Sequence, residues 1–282
     1  MNFLNKIRRA YRQSPQVETL QPLSSELRPI YAAADVHGCR KLLGALEQLI
    51  QADAKGFAGQ PQIVLLGDMI DRGPDTAGVL DDLRRPLDLG KRWALRGNHE
   101  AMMLDFVQNP QPHGVWLVNG GYETLLTYGL ALDPASLATL PRKRLGQMIA
   151  AHIPQDHLDF LTALPAGMWC EISGQTWVSA HAGYNEALGL QNQPLSALIW
   201  GHARPPAGPD IRLVQGHVPQ EGIDLSGPVI RIDAKAYQSG RLCALRLVAG
   251  QPPKLISSQG PRQGTVIIGS KPATEGPRYG SR

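Results

Sequence analysis

Three stretches decide how this chain folds: IYAAADVHG at residues 30–38, QIVLLGDMIDRGP at 62–74 and RWALRGNHE at 92–100. Each begins with a short apolar run of strand length and ends on Asp, Asn or His beside glycine. Each then gives way to a helical pattern, Arg40 to about Ala52, the segment opened by Pro74, and the apolar run after Glu100. The strand-to-His ending recurs in TWVSAH at 176–181 and IRLVQGH at 211–217, while PVIRID at 228–233 and LCALRLV at 242–248 read as paired strands. Residues 101–170 are mainly helical, broken by Pro110, Pro112, Pro141, Pro154 and Pro165. Alternating β and α text early, with β-rich text late, predicts an α/β fold, a sheet sandwich flanked by helices.

The ends have a different character. The first dozen residues place Phe3, Leu4, Ile7 and Tyr11 at helical spacing beside four basic residues. The apolar face is small, so we read 1–29 as a basic lead-in segment, with peripheral membrane contact through it as the sharper alternative. After Gly250 the text turns rich in Gly, Pro and Ser around one apolar island at 265–268. That composition predicts a catalytic unit over 30–250 and a basic tail over 251–282.

The 282 residues carry 28 Lys and Arg against 24 Asp and Glu, a net charge of +4. The excess is terminal. Five basic residues against Glu275 lie in 251–282, and five against Glu18 and Glu26 lie in 1–30, so the body between is left at −3. A specific nucleic-acid partner is therefore not expected. No apolar run is long enough for a transmembrane helix. Cys39, Cys170 and Cys243 are odd in number and scattered, which excludes a disulfide scaffold and fits a reducing compartment, the cytoplasm.

The polar residues at the strand ends form a set. Asp35 and His37 leave the first strand, Asp68 ends the second with Asp71 one turn on, Asn98 and His99 end the third, and His181 and His217 end later ones. Sites in α/β folds gather at the C-terminal ends of strands. Oxygen and nitrogen donors from five strand ends can converge on metal. Six ligands exceed the need of one tetrahedral ion and suit two ions sharing a carboxylate.

With those residues laid out, the chain resembles a known family. Asp35-Val36-His37-Gly38, Gly67-Asp68-Met69-Ile70-Asp71-Arg72-Gly73 and Arg96-Gly97-Asn98-His99-Glu100 look like the signature motifs of the phosphoprotein phosphatases, calcineurin-like metallophosphoesterases. Ser179-Ala180-His181-Ala182-Gly183 and Gly216-His217-Val218-Pro219 are similar to the family's two later histidine motifs. The resemblance covers roughly 30–248, and Trp116-Leu117-Val118-Asn119-Gly120-Gly121 looks closest to the compact bacterial serine/threonine phosphatase branch.

The resemblance implies a four-layer β-sandwich flanked by α-helices with a dimetal centre at one edge. It implies that Asp35, His37 and His217 hold one metal, Asn98 and His181 the other, and that Asp68 bridges. Two divalent ions, Mn first, with Fe, Zn or Mg as alternatives, would turn a shared water into hydroxide that attacks phosphorus. Arg72 and Arg96 would clamp the phosphate, and His99, held by Asp71, would protonate the leaving alkoxide. The implied substrate is a phosphoprotein or a small phosphoester. The nearest rival is symmetric hydrolysis of dinucleoside tetraphosphates, a branch in which the residue corresponding to Asp71 is commonly not acidic and the third motif tends to end in Asp rather than Glu. A non-catalytic binding protein on the same fold would be expected to have lost part of this set.

Two places depart from the pattern. The family usually places a phosphate-binding Arg two residues after the tryptophan corresponding to Trp200; here His202 stands there and Arg204 follows, so both are candidate substrate contacts. Asp233-Ala234-Lys235 replaces the usual Asp-Thr-Gly turn. Tyr237 lies close to it but is not read as a substrate contact. His113, His152 and His157 fall outside every motif and are read as surface or core residues.

Overall fold

A computed structural model of the chain describes residues 16–24, 28–88, 90–111, 114–133, 137, 139–201, 210–259 and 265–267. Two short strands, β1 (Val17–Glu18) and β2 (Gln21–Pro22), precede β3 (Ile30–Ala33). Then come α1 (Arg40–Ala54), β4 (Gln62–Leu65), α2 (Thr76–Leu83), β5 (Lys91–Ala94) and α3 (Asn98–Gln108). A π-turn at Leu117–Gly121 leads into α4 (Tyr122–Thr127), followed by α5 (Arg142–His152) and α6 (Gln155–Thr162). The second half holds β6 (Gly167–Ile172), β7 (Gln175–Ala180), β8 (Gln193–Pro194), α7 (Leu195–Trp200), β9 (Ile211–Gln215) and β10 (Val229–Arg231). It closes with α8 (Ala236–Ser239), β11 (Arg241–Leu247), β12 (Lys254–Gln259) and β13 (Thr265–Ile267).

These strands make two large sheets. One has the order β13-β12-β11-β3-β4-β5 and the other β10-β9-β7-β6-β2, with β1 and β8 pairing separately. In the first, β3, β4 and β5 run parallel, and every residue of β3 and β4 is buried, which is why their text is a continuous apolar run rather than an alternation. In the second, β7 and β9 are parallel neighbours, and β6 and β7 form an antiparallel hairpin. The buried side chains of both sheets belong to one continuous core, so the mixed α/β sandwich predicted from the sequence is the observed architecture.

Helix α1 turns Leu42, Leu43, Leu46 and Ile50 inward at helical spacing. Helix α2 is started by Asp75, whose side chain accepts the Gly78 N–H at 2.9 Å. Among the described residues, no helix is long and apolar enough to cross a membrane. The three cysteines are buried and unpaired.

The expected unit boundaries shift at both ends. Residues 1–15, which hold the lead-in helix of the sequence reading, lie outside the described residues. Beyond them β2 already pairs with β6, through Gln21 on Met168 and Pro22 on Trp169. At the other end, the tail expected from 251 onward contains β12, which pairs with β11 over six residues and buries Leu255 through Ser258. The apolar island contributes β13, paired to β12.

Candidate metal centre

Parallel strands all end on the same side, and that places the site. The segments leaving β3, β4 and β5 carry Asp35 and His37, Asp68 and Asp71, and Asn98 and His99. The segments leaving β7 and β9 carry His181 and His217. The two sheets are stitched together there. The His217 N–H donates to both Asp35 oxygens, at 3.2 and 2.9 Å, and His181 Nδ1 lies 3.0 Å from the Leu66 carbonyl oxygen.

The backbone is strained at this edge. Of the eight described non-glycine residues with positive φ, five are His37, Asp68, Asp71, Arg72 and His217. Such conformations persist only where surrounding structure imposes them, and they cluster at functional sites. Glycines make the close approach possible. A Cβ on Gly216 would fall 1.8 Å from Asp35 Oδ1, and one on Gly120, at φ +114, would fall 2.6 Å from the Arg72 nitrogen.

Two trios of ligand atoms converge, each with its members within 4.8 Å of one another: His37, Asp68 and His99, and Asp68, His181 and His217. Asp68 belongs to both, as a bridging carboxylate must. The trios group His217 differently from the division implied by the resemblance. Its Nδ1 lies 3.1 Å from His181 Nε2 while its backbone N–H reaches Asp35, as adjacent parallel strands β7 and β9 allow. Asp35 stands outside both trios, beside Asp233 and Asp68.

Chemistry tests whether metal fits here. His181 and His37 both turn Nδ1 toward a backbone carbonyl, Leu66 at 3.0 Å and Ile70 at 2.9 Å, so each donates that N–H and keeps its lone pair on Nε2. Burial lowers the pKa of both rings and keeps them neutral. Around His181 Nε2 stand Asn98 Oδ1 at 2.8 Å, His217 Nδ1 at 3.1 Å and Asp68 Oδ1 at 3.4 Å. Acceptors facing acceptors in a buried place repel until a cation lies among them. At His37, Arg72 Nη1 donates to the lone pair from 2.9 Å, a positive group already on that spot. Burial, then the Asp233 and Asp68 carboxylates, push the Asp35 pKa well up, which a cation would reverse. Burial pushes the Asp68 pKa up as well, but the surrounding imidazoles, His181 foremost, outweigh it in the acid range where they carry charge and hold that carboxyl low. The residues present fit two divalent ions.

A second layer holds this arrangement. Buried Glu100 accepts the N–H groups of Gly97 at 2.8 Å, Asp68 at 2.9 Å and Met69 at 2.8 Å, tying the β4 exit to the start of α3. Burial and the neighbouring Asp68 push its pKa up to about 7. Asp71 is fully buried and receives Trp116 Nε1 at 2.9 Å and Thr124 Oγ1 at 2.6 Å. Its Oδ2 lies 2.6 Å from His99 Nδ1. Burial works against a charged His99, but Asp68 and Asp71 prevail and raise its pKa.

The remaining candidates divide. Arg72 lies at the centre. Arg96 is engaged at the side, its Nη2 on the Thr162 carbonyl oxygen at 2.6 Å and its backbone N–H on that of Pro165 at 2.8 Å. His202 and Arg204 lie outside the described residues, as does His113. His157 is a buried core residue against Tyr128 Oη at 2.7 Å, and His152 turns back onto the Met148 carbonyl oxygen at 2.8 Å. Tyr237, set aside in the sequence reading, belongs to the site: its ring meets His37 edge-on at 5.2 Å and lies under the Arg72 guanidinium at 5.1 Å. Trp116, Thr124 and Asp233 were likewise not assigned roles from the sequence. Trp116 opens the motif at 116–121, and that was the available signal.

Residues 28–242 match the family model described as calcineurin-like phosphoesterase. Over 96 residues the chain is 38% identical to serine/threonine-protein phosphatase 1 of Salmonella typhimurium, a match covering 33% of this chain and 39% of that relative's length. Over 236 residues it is 26% identical to the asymmetrical bis(5'-nucleosyl)-tetraphosphatase PrpE of Geobacillus thermodenitrificans, covering 75% of this chain and 87% of the relative. Among solved structures, a protein serine/threonine phosphatase from Saccharomyces cerevisiae superposes with a TM-score of 0.52 at 14% identity, over 98% of this chain and 89% of that one, a likeness of fold.

Proposed function

The chain belongs to the calcineurin-like phosphoesterase family, and from that premise we propose that it is a dimetal-dependent phosphatase acting on phosphoserine and phosphothreonine in proteins. The observation that carries the reading is the buried Asp71–His99 pair, 2.6 Å between oxygen and Nδ1. Asp71 fixes the ring so that Nε2 is the nitrogen left to give a proton to an alkoxide leaving group. Seryl and threonyl phosphates have poor leaving groups and need that proton. Asp71 and Glu100 are also the residues that tilt the resemblance toward the phosphatase branch.

Within this reading Asp35, His37, Asp68, Asn98, His181 and His217 hold two ions, which we propose to be manganese. Bound there, they supply Lewis acidity and a water of lowered pKa. The chain's own part is positional. Arg72 is near enough to pair with phosphate oxygens, and its fork suits them. We assign the clamp to Arg72, with Tyr237 beneath it, rather than to Arg96.

The likeness, over 75% of this chain and 87% of the other, to a relative named as a dinucleoside tetraphosphatase supports a second reading, hydrolysis of dinucleoside polyphosphates. One comparison separates them: kcat/KM for a phosphoserine peptide and for diadenosine tetraphosphate, side by side with Mn²⁺. We expect the peptide to be favoured by about a hundredfold, near 3 kcal/mol of transition-state binding. An equal preference for the dinucleotide would overturn the reading. Chelation should abolish both activities and Mn²⁺ restore them; full turnover by metal-stripped protein would contradict the dimetal assignment.

A further inference from the structure

Beside the metal-capable cluster lies a cavity of about 900 Å³. Its walls continue two segments that carry the site. One wall, at 219–221, begins two residues after His217. The other, at 234–241, surrounds Tyr237, whose ring abuts His37 and Arg72. The segment that sets Tyr237 against Arg72 thus also lines the cavity.

The lining mixes polar and apolar surface and carries charges of both signs. Lys235 and Arg241 come from the 234–241 wall and Glu221 from the 219–221 wall, and Gln220, Gln238 and Gln259 add side-chain amides. Among the described residues, the side chains of Lys235 and Arg241 have no hydrogen-bond or ion-pair partner. Among the described residues that line the cavity none is aromatic, which offers a nucleoside base little to stack on. Primary amides, by contrast, pair with both the N–H and the C=O of a peptide backbone.

Lys235 is held where a lysine is uncomfortable. Its φ and ψ are +54 and +59, left-handed backbone that suits glycine, and its N–H is pinned to Asp233 Oδ1 at 2.7 Å. The turn would form more readily with glycine. What lysine adds is an exposed ammonium over the cavity.

We propose that this cavity binds the residues flanking the phosphorylated serine or threonine and selects an acidic side chain there through Lys235 and Arg241. The proposal rests on the phosphoprotein reading above and deepens it. Glu221 sets the register, since an acidic side chain is repelled from its wall and drawn to the opposite one.

The test uses three matched phosphoserine peptides, with acidic, neutral or lysine flanks, assayed with Mn²⁺ on the full chain. Wild type should prefer the acidic over the neutral flank by about three- to tenfold, chiefly through KM, the range open to exposed charge pairs. Lys235→Gly should cut that ratio at least about threefold without lowering Tm, because glycine relieves the left-handed turn. The double charge reversal, Lys235→Glu with Arg241→Glu, should favour the lysine flank; if it does not fold, Lys235→Gly carries the test. Peptides turned over without discrimination, or a ratio unchanged in Lys235→Gly, would overturn the cavity assignment alone. No turnover of any peptide would overturn both this proposal and the reading beneath it. A rise in KM for diadenosine tetraphosphate, with peptide kinetics unmoved, would give the cavity to a polyphosphate and sink the peptide proposal.

Discussion

His99 is useful only if one nitrogen is committed and the other is free. Asp71 commits Nδ1, and Asp71 itself cannot turn, because Trp116 and Thr124 occupy its oxygens while its own N–H donates to Thr76 Oγ1 at 3.1 Å and Thr124 Oγ1 at 3.0 Å. Replacing His99 with Asn removes the proton donor and keeps a polar side chain of similar reach. The His99→Asn variant should lose about 10²–10⁴ in kcat on alkyl phosphates. On an aryl phosphate, whose leaving group needs little protonation, the loss should be far smaller. Equal losses measured on both esters would contradict the proton-donor role. At this scale the sequence was informative wherever a polar residue followed an apolar run and met a glycine: Asp35, His37, Asp68, Asn98, His181 and His217 were all readable that way. It marked Trp116 only as the head of a motif, without its role, and was silent on Thr124; they are 45 and 53 residues from Asp71 and meet it through tertiary packing. It was misleading on Tyr237, whose contact with Arg72 depends on the path of a turn that no local pattern specifies. That His217 neighbours His181 was hidden for a related reason, because strand order, not motif order, decides which histidines lie side by side.

Elements are joined by pins as well as by the core, and Asp53 is one. It sits near the end of α1 and accepts from Tyr31 Oη on β3 at 2.9 Å, Arg246 Nη1 on β11 at 3.2 Å and Lys254 Nζ on β12 at 2.7 Å. Burial works against its charge, yet Lys254, Tyr31 and Arg246 outweigh it and hold the pKa below the ordinary carboxylate range. The Asp53→Asn substitution leaves Arg246, itself buried, without its counter-charge. It should cost about 2–4 kcal/mol of unfolding free energy at pH 7. A depressed folded-state pKa gives stability that is complete above the unfolded value, near 3.9, and is lost as pH falls through the folded value below it. Urea denaturation as a function of pH should therefore show a constant gap between wild type and variant above about pH 5. Below about pH 4 the gap should narrow; a gap that widens on acidification would show that Asp53 is not the charged centre of this pin. The strands β3 and β4 were legible because both faces are buried and the text is almost wholly apolar. Strand β12 was not. Its text, Lys254-Leu255-Ile256-Ser257-Ser258-Gln259, lies between proline and glycine and reads as linker. Yet Ser257 and Ser258 are buried, with Ser258 Oγ donating to the Leu42 carbonyl oxygen at 3.1 Å and Ser257 Oγ accepting from Cys243 Sγ at 3.7 Å. Buried hydroxyls with partners are invisible to a hydropathy pattern.

For the whole molecule, the sequence separates a mildly acidic body from basic ends, and from composition alone residues 251–282 look dispensable. The sheet order says otherwise. β11 lies between β3 and β12, and β3 carries Asp35 and His37 at its exit. Ending the chain after Gly250 would strip the outer side of β11 of six paired residues and remove two core side chains, Leu255 and Ile256. It would also take Lys254 from the Asp53 pin. Burial of two aliphatic side chains is worth about 3–6 kcal/mol, and the stability of a whole domain is only about 5–15 kcal/mol. The loss of ladder hydrogen bonds comes on top, and β11 becomes an open apolar edge, the kind that pairs with other chains. The chain truncated after Gly250 should therefore aggregate, or lack a cooperative melt by circular dichroism, and lose turnover of an aryl phosphate together with its fold. A truncated chain that melts cooperatively within a few degrees of wild type and keeps its kcat would show that the catalytic unit closes at β11, and that β12 is an accessory to the sheet instead of a part of what holds Asp35 and His37 in place.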